Sequence, residues 1–136
     1  MKKVVLTMFL FCSAFFFSQK NMKYIQIGYS SICCGPPSTQ PVMDYLKQFE
    51  KRNHLKSFEI LMQRGLGKEG EFNLYIGIDR LGKKQKSNFT KGLQSAINLQ
   101  NKTKKQDSDG SLGFDSAVII TKSDLANIKN LTIYKK

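Results

Sequence analysis

Residues 71–79 read Glu-Phe-Asn-Leu-Tyr-Ile-Gly-Ile-Asp. Phe72, Leu74, Ile76 and Ile78 alternate with Asn73, Tyr75 and Gly77, the period of a strand that lays one face on a core. Residues 57–64 repeat the pattern just upstream, with Phe58, Ile60 and Met62 on one side and Glu59, Leu61 and Gln63 on the other. The stretch between them carries Gly65, Gly67 and Gly70, so the two runs predict a hairpin. Residues 24–29 alternate as well. Ile25, Ile27 and Tyr29 point one way, and Tyr24, Gln26 and Gly28 the other.

Two amphipathic segments fit around these strands. Ser38 or Thr39 can cap the first, Pro41 suits its first turn, and Val42, Tyr45, Leu46 and Phe49 share a face. Asn53 and His54 end it. The second is predicted from about residue 88 to residue 102, capped by Ser87, with Phe89, Leu93, Ala96 and Ile97 as its buried stripe. Gly92 inside it costs about 1 kcal/mol against alanine. Close packing of this helix on the sheet is expected to offset that cost.

Residues 107–113 read as a polar loop, 117–121 as a buried strand and 131–134 as an edge strand, with Ser123 capping a short helical turn. The order is that of an α+β fold: a ferredoxin-like βαββαβ sandwich with an antiparallel sheet and a C-terminal extension. Both helices are expected on one sheet face. The other face carries Tyr24, Gln26, Asn73 and Tyr75 as a candidate binding surface. Tyr24 and Tyr75 fall on the first and third strands, where RNA-recognition modules carry stacking aromatics. The surrounding consensus of those modules is absent.

The amino terminus predicts an address. Lys2 and Lys3 precede an apolar run over residues 4–17, too short for the about 20 residues that span a bilayer. A small residue, Ser18, follows, which is the pattern of a cleaved signal peptide over residues 1–18. The Phe-rich run ending in Ser-Gln resembles export signals of Bacteroidota-type bacteria. Residues 19–136 are then expected as a single α+β domain, secreted or periplasmic, with no transmembrane segment after cleavage. Cys12 leaves with the signal, and Cys33 and Cys34 are the only cysteines kept.

The chain of 136 residues has a formal net charge of +12. Such a balance favours acidic partners, and it also keeps a protein soluble. Scattered lysines point to the second reading, and export disfavours nucleic acid.

The chemistry concentrates in residues 30–38, Ser-Ser-Ile-Cys-Cys-Gly-Pro-Pro-Ser. Cys34-Gly35-Pro36 resembles the start of the thioredoxin motif, at a strand-to-helix junction as in that family. The resemblance implies an activated thiolate at a helix N-terminus. Pro37 stands where the resolving cysteine belongs, and no proline follows Pro41, so the full fold is not implied. The same loop in ferredoxin-like metallochaperones carries M-x-C-x-x-C, which grips Cu(I) with two thiolates. This chain lacks the two-residue spacer. A vicinal disulfide is the third reading, and two semi-buried thiols in a rigid turn the fourth.

Other motifs are weaker. The glycines at 65, 67 and 70 match G-x-G-x-x-G, but a strand follows where a dinucleotide site needs a helix. What survives is an exposed amide group beside Lys68 that could hold an anion. Asp107, Asp109 and Gly110 lack the acidic ends of a calcium loop. Asp115-Ser-Ala117 resembles the short O-glycosylation motif of Bacteroidota, at the mouth of a predicted buried strand. His54 is the only histidine, placed a helix length from the cysteines.

No catalytic residue, cofactor or metal-ligand set is assigned. The expectation is a non-enzymatic binding or accessory module with an unknown envelope or extracellular partner, or a second copy of itself. A thiol-dependent redox protein using Cys33 and Cys34 is the enzyme-class alternative, and a soft-metal protein the other.

Overall fold

A computed structural model describes residues 21–103 and 110–136. The expected signal peptide, residues 1–18, and the acidic part of the 107–113 loop lie outside the described residues. The described chain is α+β, with three helices and a six-stranded, open, antiparallel sheet.

Strand β1 (Lys23–Ser30) leads into helix α1 (Gln40–Arg52). Strands β2 (Ile60–Gln63) and β3 (Phe72–Gly77) form the expected hairpin, with Met62 opposite Leu74 and Ile60 opposite Ile76. Helix α2 (Lys83–Lys102) crosses back to β4 (Ser111–Phe114). The short β5 (Ile120–Thr121), helix α3 (Lys122–Ala126) and β6 (Leu131–Ile133) complete the chain. The strands lie in the order β4-β1-β3-β2-β6, with β5 also paired to β1.

One sheet face makes the main core. Ile25, Ile27, Tyr29, Leu74 and Ile76 meet Val42, Leu46 and Phe49 of α1 and Phe89, Leu93 and Ile97 of α2. The alternation that predicted the strands therefore decides which side chains face the main core. Phe89 packs on Phe49 edge-on, with ring centres 5.0 Å apart, and on Phe58 at 4.9 Å. The opposite face carries a smaller core. Tyr24 and Tyr75 pack there with Leu125, beside Ile120, Ile128 and Leu131.

Three expectations are corrected. Helix α2 starts at Lys83, not near residue 88. Gly82 is extended and the Gln85 side chain reaches back to accept its N–H at 3.1 Å, so the cap comes from a glycine and a glutamine, not from Ser87. The strand on the outer side of β1 is Ser111–Phe114, which begins within the expected loop. Asn101 at the end of α2 explains this. Its side chain donates to the Leu112 carbonyl and accepts the Leu112 N–H, both at 2.9 Å, which clasps the outward backbone of the edge strand. The apolar run at 117–121 then has only β1's first residues left to pair, Lys23 with Thr121 and Tyr24 with Ile120. Ala117, Val118 and Ile119 are exposed, and the Asp115-Ser-Ala117 motif sits in an exposed turn, not in a buried strand. Finally, Gly92 meets helix α1 instead of the sheet. A Cβ there would lie 2.8 and 2.9 Å from Cε2 and Cζ of Tyr45.

Candidate functional site

The register gathers several connections at one end of the sheet. Tyr29 pairs with both Phe72 and Leu112, and Gln63 pairs with Asn73 and Leu131. The segments after β1, between β2 and β3, before β4 and before β6 therefore emerge together. Helix α1 starts and helix α2 finishes here. The cysteine loop is the centre of this end.

Cys33 and Cys34 are joined in a vicinal disulfide, with Cα atoms 3.8 Å apart. Both residues are exposed, and Ile32 beside them is 85% exposed. This corrects the expectation of two semi-buried thiols. Cys34 and Gly35 both take positive φ, 74° and 88°. For Cys34 that conformation is uncommon and unfavourable. The surroundings hold it. The Ser31 hydroxyl donates to the Cys33 carbonyl, and the Gln100 side chain donates to the Ser38 carbonyl at 2.7 Å. Pro37 lies against Gly110 so closely that a Cβ on the glycine would sit 2.7 Å from the proline Cδ. Thr39, at the cap of α1, spends its hydroxyl on Tyr134 at 2.8 Å.

This loop presents an apolar isoleucine and a disulfide on a backbone pinned from three sides. With the sulfurs bonded to each other, a metal or a thiolate reaction requires prior reduction. Among the described residues no three His, Cys, Asp or Glu side chains cluster to hold a metal. His54 stands beyond the far end of α1, at φ 53°, where it stops the helix. A 13-residue helix separates it from the cysteines by about 20 Å. The structure does not bring them together.

The glycine-rich turn answers its own question. The Glu71 carboxylate folds over Gly67 and accepts the Glu69 N–H at 3.0 Å. The loop thus supplies its own carboxylate to the Glu69 amide beside Lys68.

The second predicted surface is split. Tyr24 and Tyr75 are buried, 1% and 2% exposed, beneath the α3 segment. Their hydroxyls donate to Glu59 at 3.3 Å and to Gln63 at 2.7 Å. Burial, helped by Glu59, pushes Tyr24 up to about 12. The tyrosines are thus not an open platform. Asn73 donates to Gln63 at 3.3 Å, and Gln26 lines an open hollow floored by Gly28 and Gly113 and walled by Val118.

Sequence reasoning passed over Ile32. Its signal was available: it follows the end of the strand and falls out of the odd-numbered series that carries Ile25, Ile27 and Tyr29 into the core. Site and fold together define a small α+β domain that displays a disulfide-bonded loop at one end of its sheet. Comparison with protein-family models, with curated proteins and with solved structures finds no match.

Proposed function

We propose that residues 19–136 form a secreted or periplasmic binding or accessory module, released by cleavage after Ser18, that docks on an envelope or extracellular protein through the Ile32–Cys34 loop. The observation that carries this reading is the exposed Ile32 beside an exposed disulfide on a pinned backbone. Exposing a branched apolar side chain on a rigid support lowers the entropy cost of binding and gives a partner pocket something to fill. The neighbouring hairpin turn adds Leu66, 45% exposed, at the same end. A ferredoxin-like core suits this role. The order β4-β1-β3-β2 and two helices on one face support that assignment, with β5, α3 and β6 as the C-terminal extension.

The test is a non-reducing pull-down from the envelope fraction, comparing the intact protein with Ile32→Ser and with Cys33→Ser/Cys34→Ser. A hot-spot side chain is worth about 2 kcal/mol, so Ile32→Ser should weaken capture roughly thirtyfold. Equal capture by both variants would refute the reading.

The exposed disulfide also favours a thiol-redox reading. In it, a partner dithiol reduces Cys33–Cys34 and is itself oxidised to a disulfide. Mass measurement with thiol alkylation separates the two. A module that only docks leaves a partner dithiol unchanged, whereas a redox protein converts it and gains two alkylatable thiols of its own.

A further inference from the structure

The end of the molecule opposite the disulfide loop is strongly basic. Helix α1 finishes there with Lys51 and Arg52. Arg80 precedes α2, which opens with Lys83, Lys84 and Lys86 and has no acidic residue in its first turn. Lys86 is half-buried and the other five are exposed. Lysines at a helix N-terminus face the positive end of the macrodipole and are disfavoured there. Their position therefore needs another reason than helix stability.

The acids at this end form no ion pair with them. Glu50 pairs with Lys136, the one salt bridge among the described residues. Asp79 accepts the Lys23 backbone N–H at 3.0 Å, and Glu59 accepts the Tyr24 hydroxyl. Two helix ends and the residue before α2 thus bring six cations to one end of the molecule, none within ion-pair distance of a carboxylate among the described residues. In the sequence these residues looked scattered; the antiparallel packing of α1 and α2 collects them.

We propose that this basic end adsorbs to a bilayer surface bearing anionic phospholipids. The charge is complementary to lipid phosphates, and each lysine or arginine near such a surface adds to the attraction. A single-stranded nucleic acid would need exposed rings on which bases stack. Here Phe49 and Phe89 are buried, and Phe58 is packed against both of them. No described helix is long and apolar enough to cross a membrane, so the contact is peripheral. It would leave the Ile32–Cys34 loop on the far side, facing away from the lipid, about 20 Å distant along α1.

Co-sedimentation with phosphatidylcholine vesicles, with and without phosphatidylglycerol, tests this on the intact mature protein. Binding is expected only with the anionic lipid and is expected to fall steeply with salt. Lys83→Glu/Lys84→Glu should weaken binding by at least about a hundredfold, because each change removes one attraction and adds one repulsion. The same variant should melt at an equal or higher temperature, since glutamates suit that helix end. This separates lost binding from lost folding. Equal binding to neutral vesicles, or undiminished binding of the folded double variant, would overturn the proposal. So would binding to duplex DNA but not to anionic vesicles at the same salt, which would transfer the surface to nucleic acid.

Discussion

Gly92→Ala sets two effects of opposite sign against each other. On an isolated helix the change stabilises by about 1 kcal/mol, because glycine loses more backbone freedom on folding. In this protein the new methyl group would meet Tyr45 at 2.8 Å from Cε2 and 2.9 Å from Cζ, with its hydroxyl closer still. The ring cannot simply swing away. Its hydroxyl donates to the Phe89 carbonyl at 2.7 Å, and it packs on Phe49 and Phe89. Overpacking costs about 1–3 kcal/mol. Losing the hydrogen bond adds about 1 kcal/mol. The clash wins, and the net loss is about 1–3 kcal/mol. For a domain near this size each kcal/mol moves Tm by about 4 °C, so thermal and urea unfolding should both show a clear drop. Tyr45→Phe/Gly92→Ala removes the closest atom and should show a favourable coupling of about 1 kcal/mol in a double-mutant cycle. A Gly92→Ala protein as stable as the parent would refute the claim that α1 and α2 touch at this glycine.

Further outcomes follow from the same structure. Asn101→Ala should cost about 2–3 kcal/mol, since it strips both Leu112 backbone groups of their partners, and should speed hydrogen exchange at the Leu112 amide. Tyr29→Phe should be neutral or stabilising by up to about 1–2 kcal/mol, because the Tyr29 hydroxyl is buried with no partner while its ring stacks on Phe72 at 4.5 Å. Burial pushes Tyr24 and Tyr45 up to about 12 from an ordinary 10.0. The folded state holds these protons more tightly than the unfolded one. Their contribution is therefore complete below about pH 10 and is lost as pH rises through about 12. Ultraviolet titration of tyrosinate, run beside circular dichroism, should show both tyrosines ionising late and together with alkaline unfolding.

The strands and helices that build the main core were written in local pattern. The alternation of residues 72–78 and 24–29, and the stripe at Val42, Leu46 and Phe49, each give a face that must be buried, so they predict burial without knowledge of the partner. Local pattern failed where a partner decides. The run at 117–121 is more apolar than Ser111–Phe114, yet the less apolar segment takes the place beside β1. The reason is the Asn101 amide, a contact with the end of another helix. The start of α2 was missed because its cap is a glycine with a glutamine reaching back, which has no side-chain signature at the cap itself.

The site divides along the same line. Composition and order alone located the unusual chemistry in residues 30–38, between the first strand and the first helix, because adjacent cysteines before Gly-Pro-Pro are legible as a constrained turn. The tertiary structure decided that the sulfurs are bonded to each other and exposed. Neighbours distant in sequence, Gln100 and Gly110, pin the turn outward. It also buried Tyr24 and Tyr75, which alternation could only assign to a second face. Alternation says which side chains share a face; whether that face meets solvent depends on where the α3 segment, a hundred residues downstream of Tyr24, comes to rest.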